Sequence, residues 1–375
     1  MEEKIIRKEE RIMKIAIVHD WITNLGGAEK VLLKLHEIFP DAPIYTLVYD
    51  KKNMEKYFKG IEIRTSFIQK IPFGVKKYRY FLPLMPLAIE QFNLKEYDIV
   101  ISSSSCCAKG INISTETTHI CYCHTPMRYA WDMYWEYNQG NIIKKYIIAK
   151  MMQKLRIWDY ITSSRVDMYI ANSQNVAKRI KKHYNREAEV IYPAIDNIYY
   201  AKNDKQNKKP EYYLLVTRFV KYKKVNIIIE AFNELNIPLL VVGKGPEKNK
   251  IKKIAKKNIT FKQDLKIEEL KKCYEECKAF VFMAEEDFGM VMAEAEACGK
   301  PIIAYYKGGA SEIVEENKTG ILVKEQTKEA LKKAIIEMES KYEKFDANEI
   351  RKKAQIFNEE NFKKRMKEII KGISK

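Results

Sequence analysis

Two glutamates flank a glycine in the segment AEEDFGMVMAEAEACG, which covers residues 284–299. Glu286 and Glu294 stand on either side of Gly289, where a strand-like run gives way to a helical pattern. The free N–H groups and the positive dipole end at the start of a helix hold phosphate anions, and carboxylates accept strong hydrogen bonds from sugar hydroxyls. These residue types in this order suit a nucleotide sugar.

A second set of charges, Arg218 and Lys223, follows the strand-like run Tyr212 to Thr217. A guanidinium offers a planar fork and an ammonium a compact point charge, so the two suit a diphosphate. Surface solvation is the ordinary alternative for these cations and for the two glutamates. Their placement after strands favours a ligand site, because open α/β sheets bind ligands at the carboxyl ends of their strands.

The hydrophobic pattern supplies a scaffold for these side chains. In the first half, a strand at Lys14 to His19 precedes a Gly26-Gly27 loop and a helix. Ser173 is placed to cap a further helix that opens at Gln174. More strands are predicted at 98–102, 119–122, 168–171, 190–192, 212–217, 238–242, 279–283, 301–305 and 320–323. Strands that alternate with helices predict an α/β fold of two doubly wound, Rossmann-like domains facing across a cleft.

The 375-residue length also favours two domains. We expect a charged leader at 1–12, a first domain at 13–195 and a second domain at 196–357. The polar stretch AKNDKQNKKP at 201–210 marks the boundary. The last helix, within 358–375, is amphipathic and long enough to pack back onto the first domain.

The composition limits the classes of protein and partner. The formal charge of +18 indicates an affinity for phosphates, anionic lipid or nucleic acid. No run approaches the roughly 20 apolar residues that span a bilayer, and the start lacks the apolar run of a signal peptide, so we expect a cytoplasmic protein.

The cysteines are predicted to be free thiols. Their number, seven, is odd, and Cys106 adjoins Cys107, an awkward position for two separate disulfides. The spacing of Cys121, Cys123 and His124 does not favour zinc.

Four segments of the second half carry a resemblance to a known family: VTRFVKYKKVNIIIEAF at 216–232, VVGKGPE at 241–247, AEEDFGMVMAEAEACGKPIIAYYKGGASEIV at 284–314 and GILV at 320–323. They are similar to the donor domain of retaining glycosyltransferase family 4, which has a GT-B fold. In the first half, KIAIVHDWITNLGGAEKVL at 14–32 and CYCHTPMRYAWDMYW at 121–135 resemble the mannosyltransferase-like subgroup that builds bacterial surface polysaccharide. The family's last helix crosses back to the first domain.

The resemblance implies roles for individual residues. Arg218 and Lys223 would bind the donor diphosphate, Glu294 the ribose and Glu286 the transferred sugar. Backbone amides at the start of a helix would also contact the donor, at Gly289, Met290 and Val291. The family pattern commonly has glycine at the position of Thr217 and an acid at that of Asn226, which bears on donor identity.

In the first half, the resemblance gives His124 a contact with the sugar or with the leaving group. It places Gly26 and Gly27 close to the donor on the opposite wall. A satisfied structural histidine is the alternative for His124.

The resemblance implies a retaining hexosyltransferase with a lipid-linked or glycan acceptor, and mannose from GDP-mannose is the first candidate. UDP- or ADP-hexoses, or a catalytically silent GT-B scaffold, are the alternatives. No Asp-x-Asp motif occurs, so we expect no metal and no other cofactor.

Residues 51–80 hold nine Lys or Arg against two Glu, which suits an anionic membrane surface. No nucleic-acid motif and no G-x-G-x-x-G after the first strand is present, which disfavours nucleic-acid and nicotinamide binding.

Overall fold

The computed structural model describes residues 13–201 and 210–373. The leader 1–12 and most of the polar stretch 201–210 lie outside the described residues. The chain divides into two compact units, Met1–Ala171 with Arg179–Glu189 and Asn172–Lys178 with Val190–Lys375. The second unit includes the last helix, and the predicted domain bounds, cleft and return of that helix stay predictions.

The first sheet has seven strands in the order β3-β2-β1-β4-β5-β6-β7, and its first six strands in that order run parallel. Its strands are β1 Ile15–His19, β2 Ile44–Thr46, β3 Ile63–Thr65, β4 Ile99–Ser104, β5 Thr118–Cys123, β6 Met168–Ala171 and β7 Glu189–Val190. The helices of this part of the chain are α1 Gly27–Ile38, α2 Lys51–Met54, α3 Met85–Glu90, α4 Tyr134–Tyr137, α5 Ile142–Thr162 and α6 Gln174–Tyr184. Ser173 caps α6 as predicted, because its Oγ accepts the N–H of Val176 at 3.1 Å.

The second sheet has six parallel strands in the order β10-β9-β8-β11-β12-β13. They are β8 Tyr212–Val216, β9 Leu239–Val242, β10 Ile259–Lys262, β11 Cys277–Phe282, β12 Ile302–Tyr305 and β13 Gly320–Val323. The helices are α7 Val225–Leu235, α8 Lys248–Ile254, α9 Ile267–Glu276, α10 Met290–Ala297, α11 Ala310–Ile313, α12 Lys328–Lys341, α13 Ala347–Ala354 and α14 Glu359–Ile373.

Both sheets confirm the predicted doubly wound α/β class. Interior strands such as β9 and β12 are apolar and buried along their length, as expected where helices cover both faces of a parallel sheet. Every strand predicted from sequence is present within a few residues of its predicted bounds. The strands β2, β3 and β10 were not predicted, because they are only three or four residues long.

The cysteines are free, as predicted, and all seven lie buried within the part of the chain that the structure describes. Cys121 and Cys123 sit on β5, and no disulfide joins them to another described residue. Among the helices of 13–201 and 210–373, none combines the length and apolar character needed to span a bilayer.

Candidate active site

Lys223 and Glu286 form an ion pair at the carboxyl edge of the second sheet. Lys223 ends the 3-10 turn Lys221–Lys223 that follows β8, and Glu286 lies in the loop after β11. Nζ of Lys223 donates to Oε1 of Glu286 and lies 5.2 Å from the ring centroid of Phe282. Because β8 and β11 are neighbours in the sheet, the two charges that sequence reasoning singled out separately lie together.

Two glycines hold the backbone of the Glu286 loop in place. The N–H of Gly309 donates to the carbonyl of Glu286 at 2.9 Å. A Cβ on Gly308 would lie 2.2 Å from the carbonyl oxygen of Glu286, and one on Gly309 would lie 2.0 Å from that of Phe288. Only glycine permits this approach, so the Gly308-Gly309 pair positions the loop. Both glycines lie in the segment 284–314 that resembles the family, but no role was predicted for them.

Gly289 begins α10 in the left-handed backbone region, with φ 101°. A Cβ there would lie 2.2 Å from Cε of Met292. The first N–H groups of a helix have no acceptor within it, so those of Met290 and Val291 are suited to an anion. The structure thus places these three residues at a helix start, as predicted, next in the chain to the loop that carries Glu286.

Glu294 lies inside α10 and is only 3% exposed. Its Oε2 accepts the hydroxyl hydrogen of Tyr274, on α9, at 2.9 Å. Burial raises the pKa of Tyr274, and the nearby Glu294 raises it further, so this phenol stays protonated and donates. A solvated surface acid, which was the ordinary alternative for Glu294, does not describe this side chain. Tyr274 was not identified from sequence.

Arg218 is exposed just beyond the end of β8, at the same edge of the sheet. Beside it, a cavity of about 220 Å³ opens at the ends of β9 and β10. Three cations and two aromatic rings contribute to its lining, namely Lys248, Lys252, Lys262, Phe219 and Phe261. This basic cavity was not predicted, because lysines are too frequent in the chain to single out these three.

His124 follows β5 in the first unit and is buried. Burial, and the neighbouring His19, lower the pKa of His124 to about 3, so its imidazole is neutral near pH 7. Its Nε2 lies 2.8 Å from Oγ of Ser103, on β4. Nδ1 of His19, at the end of β1, lies 3.1 Å from both the carbonyl oxygen and Oγ of Ser103.

A hydrogen-bond network connects His124 to His19 through Ser103. The carbonyl of Ser103 can only accept, so His19 donates from Nδ1. Oγ of Ser103 lies within hydrogen-bond distance of both Nδ1 of His19 and Nε2 of His124. A serine hydroxyl can donate or accept, so the tautomer of His124 decides which of the two atoms donates in the second contact. Neither His19 nor Ser103 was identified from sequence, although both lie at strand ends beside the His-Thr-Pro segment.

The turn after β4 is fixed by Asp20, which follows His19. Its buried carboxylate accepts the N–H groups of Cys107 and Ala108, each at 2.7 Å, and that of Ser105 at 2.6 Å. Asp20 therefore holds the end of the strand that carries Ser103.

Gly26 caps α1, and Gly27 is the first residue of that helix. The N–H of Gly26 donates to Oε2 of Glu29 at 2.8 Å. A Cβ on Gly26 would lie 2.9 Å from the same carboxylate oxygen, the end of a side chain. The predicted loop before α1 is confirmed, and the donor contact of these glycines stays a prediction.

Within 13–201 and 210–373, no cluster of three His, Cys, Asp or Glu side chains is arranged to hold a metal ion. The cation nearest Glu286 in the site is that of Lys223.

Comparisons with known proteins show which domains the chain contains. Residues 25–197 match the Glycosyltransferase Family 4 domain, and residues 199–357 match the Glycosyl transferases group 1 domain. An uncharacterised glycosyltransferase of Methanocaldococcus jannaschii, MJ1178, is 24% identical over 87% of this chain and 88% of its own. Yeast alpha-1,3/1,6-mannosyltransferase ALG2 is 23% identical over 84% of this chain and 73% of its own.

Solved structures show the same fold. Anabaena HepE in complex with UDP superposes with a TM-score of 0.72 at 18% identity, covering 96% of this chain and 100% of its own. Sucrose-phosphate synthase from Thermosynechococcus elongatus gives a TM-score of 0.75 at 17% identity over 96% of this chain and 99% of its own. With both domains matched in sequence and the whole fold matched in structure, the chain belongs to the GT-B glycosyltransferases of family 4 and is a transferase enzyme.

Proposed function

We propose that this enzyme is a retaining, metal-independent hexosyltransferase that moves a hexose from a nucleotide sugar to a lipid-linked or polysaccharide acceptor in cell-surface glycan synthesis. The observation that carries the proposal is the group formed by Lys223, Glu286 and the start of α10 at one edge of the second sheet. It combines a cation for phosphate, a carboxylate for sugar hydroxyls and backbone donors for an anion.

In this proposal the chain stabilises the departing diphosphate electrostatically. Lys223 and Arg218 supply fixed positive charge, and the N–H groups of Met290 and Val291 add donors at a helix start. Glu286 accepts hydrogen bonds from the transferred hexose, and its loop is held by Gly309. We assign Glu286 to sugar binding and not to a covalent adduct.

His124 donates from Nδ1 to the hexose or to the leaving phosphate in this mechanism. The neutral imidazole suits that task, because it can donate a hydrogen bond while its own charge stays the same before and after transfer of the hexose. Glu294, held by Tyr274, binds the ribose. Retention follows if the acceptor hydroxyl attacks from the face that the phosphate leaves, with positioning and electrostatics supplied by the protein.

Metal independence rests on the protein's own cations. Many glycosyltransferases hold a divalent cation over the diphosphate with an Asp-x-Asp motif, which this sequence lacks. In this proposal, Lys223 and Arg218 supply charge of the same sign to the diphosphate. Turnover in EDTA equal to turnover in magnesium supports the proposal, and loss of turnover in EDTA with recovery in magnesium contradicts it.

The donor is mannose from GDP-mannose in our first proposal. The mannosyltransferase-like segments and the similarity to yeast ALG2 support it. UDP-hexose is the second candidate, because Anabaena HepE, a relative in fold, was solved with UDP. ADP-hexose is the third. A silent scaffold would be free to lose its charged groups, yet Arg218, Lys223, Glu286, Glu294 and His124 are all present.

We further propose that the acceptor is carried by lipid and that the enzyme works in the cytoplasm at the inner face of the cell membrane. The high positive charge and the cationic residues 51–80 support this placement, because anionic lipid attracts such surfaces. Lys76, Lys77 and Arg79 in that segment are exposed.

The test is a donor panel. The purified protein is incubated with GDP-mannose, UDP-glucose and ADP-glucose and with a lipid extract, and release of the nucleoside diphosphate and the labelled lipid product are measured. One donor should give lipid-dependent release, with the anomeric configuration of the product equal to that of the donor. Lys223→Ala should lower release by about 30-fold at low donor concentration, whereas Lys221→Ala, a change at a neighbouring exposed lysine, should not. The proposal is contradicted if none of the three donors gives lipid-dependent release, or if the product has the inverted anomeric configuration.

A further inference from the structure

The helix α5 exposes an unusually apolar face. Ile142 is 84% exposed and Ile147 is 60% exposed. Seven apolar residues of this 21-residue helix are exposed in all: Ile142, Ile143, Tyr146, Ile147, Ile157, Tyr160 and Ile161. The opposite side packs inward through Met152 and Leu155. Leaving this much apolar surface in water is unfavourable, so the face calls for a partner.

The charges on the same helix have one sign. Its exposed charged residues are all lysines, Lys144, Lys145, Lys150 and Lys154. Asp159 is the one acid in the helix sequence, and it is buried 3.0 Å from Nζ of Lys109. The face therefore combines apolar side chains with uncompensated positive charge.

Six of these exposed residues follow one line along the helix. Ile143, Ile147, Lys150, Lys154, Ile157 and Ile161 recur at intervals of four and three, so they lie on one stripe. Isoleucines occupy both ends of the stripe and lysines its middle. Long lysine side chains can extend their ammonium groups sideways to phosphates while the stem stays in an apolar layer.

We propose that this α5 face docks on the surface of an anionic lipid bilayer, with α5 lying in the plane of the interface. An apolar stripe with basic residues and no exposed acid is the pattern of such interfacial helices. A second copy of the chain is disfavoured as the occupant, because its α5 face would bring like charges together. Trp135, exposed on α4 just before α5, is a residue type that favours the membrane interface.

This surface differs from the one predicted at 51–80. There the cations are exposed together with Tyr57, Phe73 and Tyr80, which lie in turns and a 3-10 segment, whereas Phe58, Ile68 and Tyr78 are buried. The 51–80 segment can attract an anionic surface, whereas α5 also presents an apolar stripe along a single helix. The inference rests on the proposed function, since it names the surface through which the transferase reaches a lipid-linked acceptor.

The test is flotation of the full chain with vesicles of phosphatidylcholine alone and of phosphatidylcholine mixed with phosphatidylglycerol. The wild type should float with the mixed vesicles and bind pure phosphatidylcholine at least about tenfold more weakly. The double variants Ile143→Ser/Ile147→Ser and Lys150→Glu/Lys154→Glu, which change the apolar and the basic part of the stripe, should each lose about tenfold or more in vesicle affinity. The matched control is Lys333→Glu/Ile336→Ser on α12, where both residues are also exposed. It should float like the wild type.

Equal flotation of the wild type and both α5 variants overturns the proposal, as does equal binding to the two vesicle types. A wild-type dimer in light scattering that Ile143→Ser/Ile147→Ser converts to a monomer also overturns it, in favour of a second copy. Unchanged thermal unfolding of the variants excludes misfolding. Nucleotide-induced thermal stabilisation, measured on the same samples, reports the donor site separately, so failure of the proposed function and failure of α5 docking are distinguishable.

Discussion

Lys223 and Glu286 pair with each other across the edge of the second sheet, although 63 positions separate them in the chain. The pair joins the turn after β8 to the loop after β11, and it lies beside the ring of Phe282. A cation for the diphosphate and a carboxylate for the hexose therefore lie side by side. Each restrains the other's side chain before a donor arrives, which reduces the entropy lost on binding.

Removal of this cation should weaken donor binding. Lys223→Ala should lower donor affinity by about 30-fold, or about 2 kcal/mol, the usual size of a charge-assisted hydrogen bond. Isothermal titration with the preferred nucleotide measures it. Lys221→Ala, in the same turn but exposed, is the control and should change affinity less than about threefold. Equal effects of the two substitutions would remove Lys223 from the site.

The glycine that holds the Glu286 loop should be intolerant of a side chain. In Gly309→Ala, the new Cβ would lie 2.0 Å from the carbonyl oxygen of Phe288, a backbone atom. The loop must shift, at a cost of about 1–3 kcal/mol in the free energy of unfolding, and donor affinity should fall with it. Gly372→Ala on α14, where a Cβ meets no atom within 4 Å, is the control. Full donor affinity in Gly309→Ala would show that the loop does not bind the donor.

Two serine–histidine hydrogen bonds on β4 allow a matched test of His124. Ser103→Ala removes the hydroxyl that hydrogen-bonds Nε2 of His124, and Ser102→Ala removes an equal contact of 2.8 Å to Nε2 of His119. Each should lower the free energy of unfolding by about 1 kcal/mol. Only Ser103→Ala should lower kcat/KM, by about tenfold, because it alone removes a hydrogen bond that orients the His124 ring. Steady-state kinetics decides, and equal losses of activity in both would make His124 purely structural.

The buried Glu296 predicts a decline of stability with rising pH. Burial raises its pKa to about 7, even though Nζ of Lys353 lies 3.6 Å away. Between about pH 4.5 and pH 7 the unfolded chain ionises this carboxyl before the folded chain does. The free energy of unfolding should therefore fall over this range by about 3 kcal/mol.

Glu296→Gln removes the ionisation and should abolish that decline. Urea denaturation at pH 5 and pH 8 measures the difference between the two chains. Glu360→Gln, an exposed residue on α14, should keep the decline. A wild type equally stable at both pH values, or a Glu296→Gln variant with the same decline, would contradict the assignment.

The sequence predicts the fold class well, because buried parallel strands are continuous apolar runs, as in Leu239–Val242. It misses β2 and β3, since strands of three residues leave no pattern to detect. The order of strands is also outside its reach. Adjacency of β8 and β11, which pairs Lys223 with Glu286, depends on long-range packing that local periodicity does not encode.

The supporting residues of the site were hidden for a related reason. Gly309, Ser103 and Tyr274 are common residue types that act through contacts with distant parts of the chain. Glu286 and Gly289 could be singled out because their types and order match a chemical task. Their supports carry no such local signature and are found only when neighbouring strands are placed side by side.

The most direct test of the donor site is thermal unfolding of the wild type and of Arg218→Ala with GDP, UDP, ADP and their hexose conjugates. A ligand that binds only the folded chain raises Tm in step with the logarithm of its concentration over Kd. We predict that one nucleotide series raises the Tm of the wild type and that Arg218→Ala needs about tenfold more ligand for the same rise. No rise with any nucleotide, or equal rises in both proteins, would contradict the account.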